Sequence, residues 1–363
     1  MAGLFDELRV KDVRLRNRIV VSPMCQYSAV DGMPNDWHLV HLGARAIGGA
    51  GAIIAEATGV APEGRITPGC TGIWSDTHAD AWAPIARFVK LHGAVPGIQI
   101  AHAGRKASAE FPWHGGASLD PKDPRAWEPI GPTNEAFGAK LTRAPRAMTI
   151  ADIKRVQGEF VAAAKRALAA GFELLELHFA HGYLAQSFFS PLANTRTDDY
   201  GGSFENRARF LIETLDAVRA VWPERLPLAA RLGVIDYMPG EQPLEESIEL
   251  VRRFKRLGLD LIDVSLGSNT PDGSRVPRGP AFLVPVAARV KREAGLLTGC
   301  SWAITKPREA DEFVQNGDLD VAVLARAMLD DPHWPYHAAK TLGRREPQSL
   351  MPPQYARVST MIS

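Results

Sequence analysis

Apolar residues along this chain gather into eight short, nearly unbroken runs, with stretches of helical spacing between them. The runs are 18–24 (RIVVSPM), 52–58 (AIIAEAT), 96–102 (PGIQIAH), 172–179 (FELLELHF), 226–232 (LPLAARL), 259–266 (LDLIDVSL), 296–302 (LLTGCSW) and 319–325 (LDVAVLA). Strict alternation would mark strands with one wet face; continuous runs mark strands covered on both. Residues 150–170 repeat apolar positions at i, i+3 and i+4 and stop at Gly171, and 206–222, 244–257 and 306–315 behave likewise. Strand-then-helix units repeated eight times predict one domain over 1–363, a closed (β/α)8 barrel of the TIM type. An open doubly wound sheet would need a phosphate loop after an early strand. The first connection, MCQYSAVDGMPND, has no Gly-x-Gly-x-x-Gly.

Two strand-to-helix connections exceed the usual two to six residues. One spans 103–149 and is rich in proline, tryptophan and glycine, including Trp113, Gly115, Gly116 and Trp127; the other spans 181–205. Both leave the C-terminal ends of strands, the face on which barrel enzymes build their sites.

Composition narrows the function classes. Lys and Arg number 42 against 41 Asp and Glu, a formal net charge of +1, so no basic excess drives binding to nucleic acid or an anionic membrane. Cys25, Cys70 and Cys300 are scattered and form neither a secreted-type disulfide framework nor an iron–sulfur ligand set. No secretory h-region opens the chain and no apolar run is long enough to span a bilayer, so a cytoplasmic protein is expected.

In a barrel, the residues at strand C-termini converge above the mouth. Here they include residues 23–27 (PMCQY), 56–58, 99–102, His178 with His181 and Tyr183, Arg231, 265–267, Ser301 with Trp302, and Ala325 with Arg326. That set is polar and aromatic but nearly free of carboxylates, without the paired acids of a glycosidase or the Ser/His/Asp order of a hydrolase. Two histidines three apart, followed by a tyrosine, can present two N–H donors and a phenol to one carbonyl oxygen. The same histidines with Cys25 also suit zinc, which leaves a zinc hydrolase as the alternative.

Longer motifs separate these readings. Residues 23–27 (PMCQY), 99–108 (QIAHAGRKAS), 178–183 (HFAHGY), 194–207 (NTRTDDYGGSFENR) and 325–332 (ARAMLDDP) resemble, in order and over the full length, the Old Yellow Enzyme family. The resemblance is to its thermophilic-like class, at the xenobiotic-reductase end. It implies a barrel flavoenzyme with non-covalent FMN at the mouth, taking hydride from NADPH or NADH and reducing activated C=C bonds of unsaturated carbonyl or nitro compounds.

Residue by residue, the resemblance puts Pro23, Met24 and Ala57 against the isoalloxazine, Cys25 near its N5/O4 edge and Gln99 on its pyrimidine edge. Arg231 faces N1/O2, where a fixed positive charge favours the reduced, anionic flavin. The phosphate is expected at the loops around Ser301, Trp302, Ala303, Ala325 and Arg326, where barrels commonly bind phosphate. His178 and His181 hold the substrate oxygen, Tyr183 protonates the adjacent carbon, and Tyr27 and Trp302 line the substrate face. The segment 344–363 is expected to reach a neighbouring subunit of a homodimer, with Arg357 entering that subunit's site. Two departures stand out: Ala303 replaces a glycine usual in the family, and Val358 replaces a tryptophan. His38 and His41 on the first helix are expected to pack or face solvent, and His102 and Arg105 are equally compatible with structural roles.

Overall fold

The structure, a computed structural model, describes residues 2–359. Eight parallel strands form its centre: β1 (Ile19–Val21), β2 (Ala52–Gly59), β3 (Val95–Ala101), β4 (Leu174–Phe179), β5 (Leu228–Ile235), β6 (Leu261–Leu266), β7 (Leu297–Cys300) and β8 (Val321–Leu324). Each pairs with the next, and β8 pairs back onto β1, so the sheet closes. Every residue of β2, β3 and β4 is buried, as strands clothed by helices outside and side chains inside must be.

Outside lie α1 (Asp36–Ile47), α2 (Asp76–Leu91), α3 (Ile150–Ala169), α4 (Phe204–Arg219), α5 (Leu244–Arg256), α6 (Val284–Ala294), α7 (Pro307–Gln315) and α8 (Trp334–Thr341). Asn35, Ser75, Thr149 and Ser203 cap the first four, each side chain accepting a hydrogen bond from a backbone N–H of the first turn. Gly171, just past α3, takes a φ of +91°, the left-handed stop that its sequence position predicts. No helix among the described residues is long and apolar enough to cross a membrane.

All eight expected strands are present, and the differences lie between them. The 18–24 run pairs only over β1; residues 22–29 leave the sheet and frame the mouth. Residues 181–205 are not one loop, because Leu184–Phe189 forms a helix whose six residues are all buried. A helix with no wet face carries no amphipathic period, so the pattern conceals it. The sequence reading also missed a hairpin of two three-residue strands, Leu8–Val10 and Val13–Leu15. It plugs the barrel floor: Val10 and Leu15 face a cavity of about 20 Å³ that also touches Leu174, Leu261, Glu176 and Asp263.

After α8 the chain runs through a 3-10 turn, Pro347–Leu350, into a helix at Pro353–Ser359. Leu350 lies against Gly49, in the connection that enters β2 from its N-terminal end. This segment therefore packs on the face opposite the mouth of its own barrel; residues 360–363 of the expected C-terminal segment lie outside the described residues.

Candidate active site

Parallel register brings the first functional residues together. His178 on β4 pairs with Arg231 on β5, and Arg231 pairs in turn with Asp263 on β6. Residues paired across a sheet point to the same side, so the imidazole and the guanidinium enter one space. Arg231 is buried and donates from Nη1 to Ser22 Oγ (3.2 Å) and from Nη2 to Ser301 Oγ (2.9 Å). Its Nε lies 3.2 Å from Asp263 Oδ2.

Immediately after β4 the chain turns through His181, at φ +61°, and Gly182, at φ +66°. A side chain at Gly182 would strike the Ser268 carbonyl, since its Cβ would lie 2.3 Å away, so only glycine lets the turn sit this close. The turn folds the three-residue spacing back on itself. His178 Nε2 and His181 Nδ1 are 3.3 Å apart, and the ring of His178 lies 5.1 Å from that of Tyr183. His181 Nε2 reaches Ser265 Oγ at 2.7 Å, and Trp302 Nε1 donates to the same hydroxyl at 3.3 Å. Burial, followed by the charge of Arg231, holds both histidines well below their usual pKa, so they are neutral near pH 7. Burial pushes the Tyr183 phenol up, keeping its proton in place.

The entrance is aromatic. Tyr27, Tyr183, Lys106, Thr67 and Leu141 border a cavity of about 300 Å³. Tyr27 meets the edge of Trp113, and Trp113 stacks on Phe111 with ring centres 5.2 Å apart. Part of Cys25 stays accessible, yet the bulk around it pushes its thiol up. Pro23 and Met24 are half-buried beside it, while Ala57 is buried at the end of β2. Gln99 is buried, and its Nε2 donates to Glu176 Oε1 at 2.7 Å.

Around the far rim, Trp302 and Ala303 both adopt left-handed backbone, at φ +70° and +61°. Ala325 precedes a short helix, Arg326–Asp330, and the Arg326 side chain is exposed. Arg357 lies elsewhere. Two residues before it, the ring of Tyr355 sits 6.2 Å from that of His333, on the same flank as Leu350.

Several residues resolve differently from, or beyond, their motifs. His38 takes the packing role expected for it: its Nδ1 accepts the Asn35 N–H that opens α1, and its Nε2 lies 3.4 Å from Glu56. His102 Nδ1 accepts from Gly104 N, and Arg105 Nη2 donates to the Asn269 carbonyl, so both brace the loop after β3. Lys106 lies within the 99–108 motif, and the resemblance implies no role for it. Its amine donates to the carbonyls of His181 (2.6 Å) and Ser268 (2.9 Å), and burial lowers its pKa to about 7. The motifs assign no role to Glu176 and Asp263; their only sequence signal is an acid in the middle of each of two runs that burial on both faces should keep apolar.

These groups fit a flavin. A primary amide on β3 and a guanidinium on β5, with β4 between them, suit the oxygen- and nitrogen-rich edge of the ring. His178 Nδ1 is buried without a hydrogen-bond partner. The open backbone of 23–25 offers the close approach a planar ring needs. A metal fits less well: among the described residues no three His, Cys, Asp or Glu side chains form a metal-ligating group, so the zinc alternative has no ligand set.

Comparison with known proteins agrees. Residues 3–345 match the model of the NADH:flavin oxidoreductase / NADH oxidase family. The chain is 45% identical over 342 residues to an NADPH dehydrogenase of Geobacillus sp. (strain WCH70), covering 94% of each chain. It is 40% identical to an NADPH dehydrogenase of Bacillus subtilis (strain 168), over 98% of each. The structure of an Old Yellow Enzyme homologue from Zymomonas mobilis superposes with a TM-score of 0.78 at 26% identity, covering 94% of this chain and 93% of that one. The barrel, the two-histidine mouth and a family match along nearly the whole length make this chain a member of the NADH:flavin oxidoreductase / NADH oxidase family, that of Old Yellow Enzyme, and an FMN-dependent oxidoreductase that draws hydride from a reduced nicotinamide.

Proposed function

We propose that this enzyme works as an ene-reductase on activated alkenes, with His178, His181 and Tyr183 handling the substrate and Arg231 and Gln99 handling the flavin. The observation that carries this reading is the convergence of two neutral imidazoles and a protonated phenol beside a buried guanidinium. FMN held there would supply the redox chemistry, hydride exchange between the nicotinamide and the substrate carbon beta to the activating group.

The protein supplies orientation, charge and the proton. Neutral imidazoles donate N–H groups to a carbonyl or nitro oxygen without adding a buried cation, His181 exchanging its contact with His178 or Ser265 for the substrate. These bonds strengthen as negative charge develops there. Tyr183, held protonated, gives its proton to the carbon alpha to that oxygen. Lys106, whose amine lies 5.6 Å from the Tyr183 ring centre, ties down the turn that carries His181. Arg231 brings a fixed positive charge, and Gln99 an amide, to the pyrimidine side of the flavin. Pro23, Met24 and Ala57 pack against the ring, and Cys25, held as a thiol, tunes it as a weak donor. Ser301, Trp302, Ala303, Ala325 and Arg326 surround the phosphate. Tyr27 and Trp302 close on the substrate, an enone or nitroalkene, and the hydride donor is NADPH.

The assembly is a homodimer in this reading. Trp37 and Val40, three positions apart on α1, are 56% and 69% exposed, and Val30 and Leu91 are exposed as well. An apolar stripe of this kind marks an interface. Arg357, carried away from its own mouth, enters that of the partner. Three unpaired cysteines suit the reducing cytoplasm.

The test is an anaerobic titration with NADPH and then 2-cyclohexenone, repeated with Tyr183→Phe. The flavin should bleach and then recover. In the variant, recovery should slow by roughly 10²- to 10⁴-fold while bleaching keeps its rate. Equal loss in both halves, or in neither, would remove Tyr183 as the proton donor.

A further inference from the structure

Beneath the mouth, two carboxyl groups stand in the barrel interior without a share in the reaction described above. Glu176 on β4 and Asp263 on β6 are 0% and 1% exposed. Glu176 Oε1 accepts from Gln99, and Asp263 Oδ2 faces Arg231 Nε at 3.2 Å. Glu176 Oε2 and both Asp263 oxygens have no hydrogen-bond partner. Both side chains border the floor cavity of about 20 Å³, whose other walls are aliphatic. That volume admits one water, and a lone water needs at least two polar partners to stay.

Charge counting points the same way. The charged groups acting on Glu176 are Asp263 and Arg231, the Gln99 amide is its hydrogen-bond partner, and on its own strand the neutral His178 stands nearer the mouth. One guanidinium cannot neutralise two buried carboxylates, and an isolated buried charge is costly enough that the group takes up a proton instead. Asp263 holds the ion pair with Arg231, so the proton belongs on Glu176.

We infer that Glu176 and Asp263 form a water-bridged carboxyl pair that holds one proton, and that through Gln99 and Arg231 it sets the electrostatics of the flavin's pyrimidine edge. The link to flavin rests on the placement of FMN proposed above; the pair itself does not. Burial is the main cause that raises Glu176, to about 8, with Asp263 adding to it. Near that pH, the negative charge that reduction brings to Arg231 draws the proton more firmly onto the pair. Above it, reduction takes one further proton up from solvent. Glu176 and Asp263 are thus positioning residues that act through Gln99 and Arg231.

The experiment has two arms. The first is infrared spectroscopy of the FMN-free wild-type protein across pH 6 to 10. A protonated-carboxyl band should be present at pH 7, fade through about pH 8 and be missing from Glu176→Gln. No such band in the wild type overturns the pair, whatever the flavin does, and this arm stands even if the variant does not fold. The second arm is the midpoint potential of bound FMN against pH in wild type, Glu176→Gln and Asp263→Asn. The wild type should show a break near pH 8. Glu176→Gln should lose the break yet match wild type at pH 7, since the amide is neutral like the protonated acid. Asp263→Asn, which leaves Glu176 as the one carboxyl facing Arg231, should raise the potential above pH 8 and move the break to lower pH. A rise at pH 7 in Glu176→Gln would mean an ionised Glu176 and overturn the proposal. A carboxyl band with no change of potential in either variant would keep the pair and reject the placement of FMN against Arg231 and Gln99.

Discussion

His178, His181 and Ala303 show how much a single position can carry. Both histidines are neutral because burial and Arg231 disfavour a second cation. In the unfolded chain each takes up a proton near pH 6.5. The folded state does not, so their contribution to stability is full above that value and falls as pH drops below it. The slope is up to about 1.4 kcal/mol per pH unit for each group. Replacing His178 by Asn should flatten unfolding free energy against pH between 6.5 and 5, measured by denaturant titration. An unchanged slope would mean that His178 is not held neutral. Ala303 keeps the left-handed backbone of the glycine it replaces, at φ +61°. That conformation costs a residue with a Cβ about 1 kcal/mol, so Ala303→Gly should gain stability of about that size, less the added freedom of the unfolded chain. A lower thermal midpoint in the variant would count against it.

At the scale of elements, Asn194 ties together the two ends of the middle stretch of the 181–205 connection. Asn194 is buried, and its Nδ2 donates to the carbonyls of Phe188 and Tyr200, both at 2.7 Å. These bonds join the end of the Leu184–Phe189 helix to the turn that leads into α4. Asn194→Ala strands two buried carbonyls and should cost roughly 2 to 4 kcal/mol, read as a drop in unfolding free energy together with faster proteolysis within 181–205. Loss of stability without local cleavage would place its effect elsewhere. The strands and amphipathic helices of the barrel were legible because burial on both faces, or on one stripe, leaves a period in the residues. The Leu184–Phe189 helix and the floor hairpin were not: one has no wet face, and the other has strands of three residues, too short to show a period.

Taken whole, the molecule separates a reactive mouth from a closed floor, with the C-terminal segment on the floor side. A trans-acting Arg357 therefore requires the dimer. In the proposed homodimer, Val40→Asp places a charge among the exposed apolar residues of α1 and should yield monomers in light scattering. The monomer should keep bound FMN but lose affinity for the enone, as Arg357→Ala should in the dimer. A monomer with unaltered KM would remove the arginine from the partner's site.

The linear sequence by itself determined the barrel, its eight strands and the residues at their C-terminal ends, because periodicity and chain direction place a side chain on an element and at one end of it. It also carried the family motifs from residue 23 to residue 332. Tertiary structure alone decided what those residues face. Register set Arg231 between His178 and Asp263, the left-handed turn at 181–182 folded two histidines onto a tyrosine, and closure of the sheet brought Glu176 and Asp263 to one buried cavity. Partners far apart in sequence leave no mark on local pattern, and the charge state of a buried group depends on all of them at once.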